Sequence, residues 1–285
     1  MAKLTKAQIK AHAAAQDLLD SGKILDFEDT MDVIEGWHEG ATHSNAAMSA
    51  FFTPYDLAMS MAIQVPTVRI LDLCSGIGTL SVAIANHHAK NGHCEFTLVE
   101  SNPDYCAVAR RLLPDARVIC GSIFDEDVLR QIGTGYDCVI SNPPFGNMTK
   151  GMGKGPRYRH NDAEYAVIDV ASDLADEGVF ILPQRSVPFR QSCDQNVLHE
   201  ESNVSDKYRR FLTQTGIELG PNFGIDCRFT EDQWRGTKIR VEIATCDFRE
   251  LQKQRQIAAE TKTAKQDEAS ASSDSGLDLL SLMAA

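Results

Sequence analysis

Asn142-Pro143-Pro144-Phe145 is the stretch of this sequence whose residue types and spacing could do chemistry. It follows the apolar run Cys138-Val139-Ile140, which reads as a buried strand. Successive prolines fix two φ angles and remove two N–H donors. The Asn142 side-chain oxygen and the Pro143 carbonyl are thereby offered as two acceptors in a stiff turn, with the Phe145 ring beside them. An exocyclic amino group such as that of adenine is a poor nucleophile because its lone pair is delocalised into the ring. Two acceptors that take its N–H bonds favour a tetrahedral nitrogen and free the lone pair, while an aromatic face holds the base by stacking. Alone, the same four residues are equally a rigid corner, so their setting decides.

That setting begins upstream, where Ile70-Leu71-Asp72-Leu73-Cys74-Ser75-Gly76-Ile77-Gly78 joins a buried strand to a helix. Glycines there let the backbone pass close to a ligand at the strand end. A lone G-x-G is weak evidence, since tight strand–helix turns need glycine for geometry alone. The next strand ends Leu98-Val99-Glu100 and places a carboxylate where it can accept both hydroxyls of a ribose. A third ends Cys120-Gly121-Ser122-Ile123-Phe124, an apolar wall for an adenine ring. A dinucleotide dehydrogenase would carry G-x-G-x-x-G, but Ser81 stands at the third glycine position, and no Walker-type phosphate cradle is present. The ligand therefore reads as a nucleoside without a pyrophosphate, which S-adenosylmethionine is.

The elements that must position these residues alternate. Strands are expected at 68–73, 95–100, 117–121, 136–141 and 178–182, with helices at 77–88, 103–113, 126–131 and 164–174. This pattern implies right-handed crossovers onto a largely parallel sheet. A helix at 205–215 precedes strands at 217–221 and 238–246, the last alternating as a late antiparallel strand does. Two helices, at 3–20 and about 26–38, come first. Thr53 is expected to cap a further helix to about Gln64, with Pro54 at its first position. The expected organisation is an N-terminal helical extension (1–50), an α/β domain of Rossmann-like type (51–248) and a charged, largely disordered tail (249–285). Within that tail, Leu277–Met283 is an apolar cluster that could dock on a protein partner.

Bulk composition narrows the function. No apolar run approaches the ~20 residues of a membrane span, and the first residues lack a signal-peptide core, so a cytoplasmic location in a prokaryotic or phage-infected cell is expected. The eight cysteines contain no C-x-x-C pair. Cys74, Cys94, Cys120, Cys138 and Cys246 fall in or beside strands as small apolar residues, and no metal site is expected. A net charge of −12 disfavours indiscriminate binding to polyanions.

With these pieces in order, residues 50–246 resemble the class I, Rossmann-like N6-adenine methyltransferases with an N-P-P-F motif. The γ-type DNA enzymes resemble the chain most, since an F-x-T-P-like segment precedes their glycine turn as Phe51-Phe52-Thr53-Pro54 does here. The resemblance implies a mostly parallel seven-stranded sheet and S-adenosylmethionine as cofactor. It implies that Phe52, Thr53 and Pro54 close over the methionine end, which Asp72, Gly76 and Gly78 also contact. Glu100 would hold the ribose, Ser122 and Phe124 the adenine, and Asn142, Pro143, Pro144 and Phe145 would form the catalytic turn. Trp234, or Phe229, would add a second wall for the target base. Ser122 stands where the family usually has an acid, and no separate recognition domain follows the last strand. The implied substrate is DNA, with RNA amines and a protein glutamine amide as alternatives.

Gly146 to Asn161 carries Lys150, Lys154, Arg157 and Arg159 with no acid before Asp162, and four glycines. A mobile basic loop directly after the catalytic turn is suited to order on a phosphate backbone.

Overall fold

The computed structural model describes residues 4–38, 51–66, 68–90, 92–148, 153–193, 199–200, 204–235, 238–261 and 263. Met1–Asp247 form one compact unit. Its centre is a seven-stranded sheet of β1 (Arg69–Leu73), β2 (Glu95–Glu100), β3 (Arg117–Cys120), β4 (Tyr136–Ser141), β5 (Ala175–Pro183), β8 (Gly220–Pro221) and β9 (Val241–Asp247). The spatial order is β3-β2-β1-β4-β5-β9-β8. β1 to β5 pair in parallel, and β9 runs antiparallel to both neighbours. This is the Rossmann-like class I methyltransferase fold that the resemblance implies. The chain leaves β1 towards β2 and β3, then returns to build β4 on β1's other side, so the order reverses between β1 and β4. Ligands of open α/β sheets bind outside the strand ends at such a point.

Helices α4 (Thr79–His88), α5 (Pro103–Leu112), α6 (Glu126–Ile132) and α7 (Ala163–Ala171) supply the crossovers, and α8 (Asp206–Thr215) follows a short β6 (Phe189–Arg190) and β7 (His199–Glu200) pairing. That pairing has no sequence signal. Strands of two residues are too short to show alternation. Asn102 caps α5 with Pro103 at its first position, and left-handed Gly216 (φ 72°) closes α8. Before the sheet come α1 (Lys6–Asp20) and α2 (Phe27–Gly36), each started by a capping box, Thr5 with Gln8 and Asp26 with Asp29. Their apolar faces (Ala15, Leu19, Val33, Ile34, Trp37) share one core cluster with Ile77, Val82, Tyr105 and Val108 of the sheet unit.

Helix α3 (Tyr55–Ala62) corrects one expectation. Pro54, not Thr53, is its N-cap, and no side chain caps it. The Pro54 carbonyl accepts the first helical bond, from the Ala58 N–H, which leaves the Thr53 hydroxyl for another task. Cys120 is also exposed rather than buried, because it ends an edge strand. The unit Phe248–Ala285 is helical over 249–261, so the expected disordered tail starts as a helix. The Leu277–Met283 cluster lies outside the described residues.

Candidate active site

A cleft opens at the C-terminal ends of β1, β2, β3 and β4. It brings together Phe52, Thr53, Gly76, Glu100, Ser122, Phe124, Asn142, Pro143, Pro144 and Phe145, residues drawn from five separate stretches of sequence. Phe51 and Ser75, from the two upstream motifs, line it as well, as do Tyr105 and Val167, which motif reading did not single out.

Glu100 ends β2 and is almost fully buried. Its Oε2 accepts the Gly76 N–H at 2.9 Å and its Oε1 accepts the Asn102 N–H at 2.7 Å. Burial raises its pKa while those backbone donors oppose the rise by favouring the carboxylate. Glu100 thus ties the glycine turn to the second strand and keeps acceptor capacity for a hydroxyl pair. Gly76 sits at φ 58°, and a Cβ there would press on the Phe52 ring at 3.4 Å. Val99, Ile123 and Phe124 give the far end of the cleft its apolar wall.

Three residues assigned to the cofactor by resemblance do not line this cleft: Asp72, Gly78 and Pro54. Asp72 is wholly buried, and its Oδ2 accepts from the Ser81 hydroxyl at 2.7 Å. Desolvation pushes its pKa up to about 7. That contact explains why a serine occupies the position where a dehydrogenase has glycine. Gly78 (φ 90°) is the left-handed N-cap of α4, where a Cβ would stand 3.2 Å from Leu98, so its need is conformational and steric.

The Asn142 amide has a fixed orientation. Nδ2 donates to the Phe51 carbonyl at 3.1 Å and to the Thr53 hydroxyl at 2.9 Å. A carbonyl can only accept, so the amide nitrogen must face Phe51, and Oδ1 points the other way. That Oδ1 is buried and receives no hydrogen bond from the described residues. The buried Ser75 hydroxyl is likewise unpartnered. Native interiors satisfy nearly all such groups, so each exception calls for an explanation such as a ligand. These orphaned atoms, the Glu100 carboxylate and the apolar wall suit a nucleoside cofactor bearing a methyl donor.

The cleft is braced from outside by aromatic rings. Phe52 meets Tyr105 of α5 at 5.1 Å and Trp37 at 5.9 Å between centroids. Trp37 follows α2, whose last carbonyls are held by Arg235: Nη1 donates to the Trp37 carbonyl at 2.9 Å, and Nη2 to Glu35. The N-terminal helices thereby reach the cofactor wall through one ring.

On the substrate side the structure rearranges the expected roles. Arg157 is spent internally, with Nη1 on Asp169 at 3.0 Å and Nη2 on Asp173 at 2.7 Å. Two carboxylates, one in α7 and one just after it, thus already hold that guanidinium. Lys154 and Arg159 are exposed, and Lys150 lies outside the described residues. The described part of the loop is anchored: Tyr158 is fully buried and donates to Asp162 at 2.6 Å. Its glycines serve close approach, since a Cβ at Gly153 would fall 2.1 Å from the Phe124 Cβ and one at Gly155 2.6 Å from Asp169 Oδ2. Trp234 is buried in the core cluster with Leu57, Met61 and Ile243 and does not line the cleft. An indole is large enough to close that core, and this use excludes it as a second base wall. Phe229 is half exposed.

Residues 57–154 match the family model of the methyltransferase small domain. The chain is 26% identical over 162 residues to the release factor glutamine methyltransferase of Salmonella typhimurium, covering 55% of this chain and 47% of that protein. It is 34% identical over 77 residues to the ribosomal RNA small subunit methyltransferase C of Escherichia coli O9:H4, covering 27% of this chain and 21% of that protein. The chain thus spans less than half the length of these curated relatives. Among solved structures, a Listeria monocytogenes protein assigned as a class I S-adenosylmethionine-dependent methyltransferase superposes with a TM-score of 0.52 at 12% identity, covering 86% of this chain and 81% of that one. The type I restriction-modification methyltransferase subunit of Streptococcus thermophilus gives 0.50 at 15% identity, over 79% and 50%. The chain thus has the Rossmann-like class I methyltransferase fold, and its residues 57–154 are similar to the methyltransferase small domain. S-adenosylmethionine is the cofactor of that class.

Proposed function

We propose that this chain transfers a methyl group to the exocyclic N6 of adenine in DNA. The observation that carries the reading is the Asn142 amide, locked by Phe51 and Thr53 so that its unpartnered Oδ1 can only accept. When bound, S-adenosylmethionine supplies an electrophilic methyl on its sulfonium. Glu100 would orient the ribose of this cofactor, and the Val99–Ile123–Phe124 wall its adenine. Asn142 Oδ1 and the Pro143 carbonyl accept the two N–H bonds of the target amine. The nitrogen then leaves planarity, and its lone pair becomes available. Phe145, at the mouth of the same turn, stacks on the base. Because Oδ1 is covered by neighbouring atoms, an incoming N–H reaches it only as the cleft walls part.

DNA is preferred because the Phe51–Pro54 segment, the γ-type feature of the sequence, is the one that fastens Asn142. An RNA amine is the second reading, favoured by the likeness to a ribosomal RNA methyltransferase. A glutamine amide, to which the release factor enzyme's name points, presents the same conjugated nitrogen. Incubation with tritium-labelled S-adenosylmethionine and duplex DNA, structured RNA and protein in parallel, followed by nucleoside and amino-acid analysis, separates the three. Labelled N6-methyladenine in DNA is expected; label in RNA or protein alone would overturn the substrate. Asn142→Ala is expected to abolish transfer with S-adenosylhomocysteine binding retained. Near-full activity in that variant would remove Asn142 from the chemistry.

A further inference from the structure

We propose that Glu164 is a positioning residue that holds the catalytic turn by the peptide following Phe145. The inference rests on the reading of Asn142–Phe145 as the turn that meets the target amine. Glu164 lies in the first turn of α7 with almost no solvent exposure. Its Oε2 accepts the Gly146 N–H at 3.0 Å, and its Oε1 accepts the Ser186 hydroxyl at 2.9 Å. The Gly146 carbonyl in turn accepts the Ala163 N–H at 2.8 Å. Both polar groups of Gly146 are therefore clamped by the start of one helix.

The site needs this clamp. Gly146 has φ 89° and reverses the chain directly after Phe145, a conformation that glycine adopts freely and does not by itself fix. The Gly146 N–H belongs to the peptide plane that sets ψ of Phe145. Holding that N–H therefore sets the direction of the Phe145 backbone and, with it, the pitch of the ring in the cleft. The prolines at 143 and 144 fix φ on one side of the ring; Glu164 completes the constraint on the other. Val167, one helical turn along α7, lines the cleft itself, so the face bearing Glu164 is turned towards the site. Through Ser186 the same carboxylate joins the ends of β4 and β5, whose following turns flank the substrate side. A charge-assisted bond from a buried carboxylate holds a backbone donor more tightly than a neutral one.

Glu164→Ala removes both bonds, whereas Glu164→Gln keeps an acceptor for Gly146 and a polar partner for Ser186. In Glu164→Ala, amide exchange at Gly146 should rise and kcat for methyl transfer to DNA should fall, each by about tenfold to a hundredfold. S-adenosylhomocysteine affinity should stay within about threefold, because its contacts lie across the cleft. Glu164→Gln should restore exchange and kcat together. Equal impairment in Gln and Ala, or unchanged Gly146 exchange in Ala, would overturn the proposal. Should Glu164→Ala fail to fold, Ser186→Ala frees only Oε1, and a smaller rise in exchange, about threefold, is expected; no rise would also overturn it. Gly146 exchange is read without substrate, so it decides the clamp even if the wild type methylates no DNA, a result that would sink only the substrate reading.

Discussion

The Asn142 amide donates to the Thr53 hydroxyl at 2.9 Å, joining the Asn142–Phe145 turn to a segment 89 residues earlier in the chain. Thr53→Val keeps the shape and removes the acceptor, leaving Phe51 as the amide's single tether. kcat should fall by about tenfold, the worth of one buried hydrogen bond to an oriented group. Cofactor affinity should change less. Steady-state kinetics beside calorimetry with S-adenosylhomocysteine makes the comparison, and an equal loss in both would return Thr53 to the cofactor alone.

Trp37→Ala should weaken the cofactor site without touching it. The ring is 2% exposed and packs on Phe52 and Tyr105. Its loss is expected to cost about 3–5 kcal/mol of stability and to let the Phe52 wall sag. Thermal melts with and without S-adenosylhomocysteine would read both, the ligand-induced shift shrinking along with Tm.

Asp72 gives a pH-dependent signature. Its folded pKa, about 7 against an ordinary 3.8, means that the folded chain binds more protons than the unfolded chain between those values. Its contribution to stability is fully present below pH 3.8 and is lost as pH rises through 7. Asp72→Asn cannot ionise, so the difference in unfolding free energy between wild type and variant should drift with pH across that window and level off above it. A difference independent of pH would place the Asp72 carboxyl in water.

The basic loop should divide into two kinds of arginine. Arg157→Met should lower Tm, since it removes the guanidinium bonds to Asp169 and Asp173, and leave the salt dependence of oligonucleotide binding unchanged. Arg159→Ala should leave Tm unchanged and reduce the log–log salt slope by about one. Titration of a fluorescent duplex across a KCl series tests the pair; a slope change in Arg157→Met would restore it to the phosphate grip.

The sheet was legible because its strands are continuous apolar runs ending in chemically distinct turns. β2 and β4 begin and end where Glu95–Glu100 and Tyr136–Ser141 predict. The placement of residues at strand ends, Glu100 and Asn142 among them, could be read for the same reason, and both line the cleft. What escaped depends on partners far away in sequence. Glu164 reads as an ordinary first-turn acid of a helix, Tyr105 as a helix-face residue, and Arg235 as a surface cation until α2 is brought beside it. Arg157 was misread for the same reason: its loop holds no acid, and Asp169 and Asp173 arrive only with the fold of α7. Trp234 looked like a reader of bases because Gly236 and a strand follow it, yet burial in the α3 core claims it.

The tethering of Asn142 also sets when its oxygen loses water. Oδ1 is stripped of solvent as the chain folds and stays aligned with no donor beside it. The desolvation of that acceptor is therefore complete before any substrate arrives, and what remains is for the walls over it to part. Such a site should discriminate by what a molecule can donate. Under the proposed function, an adenine already carrying one N6 methyl would offer a single N–H to two acceptors, so a turn that activates the first transfer would disfavour a second.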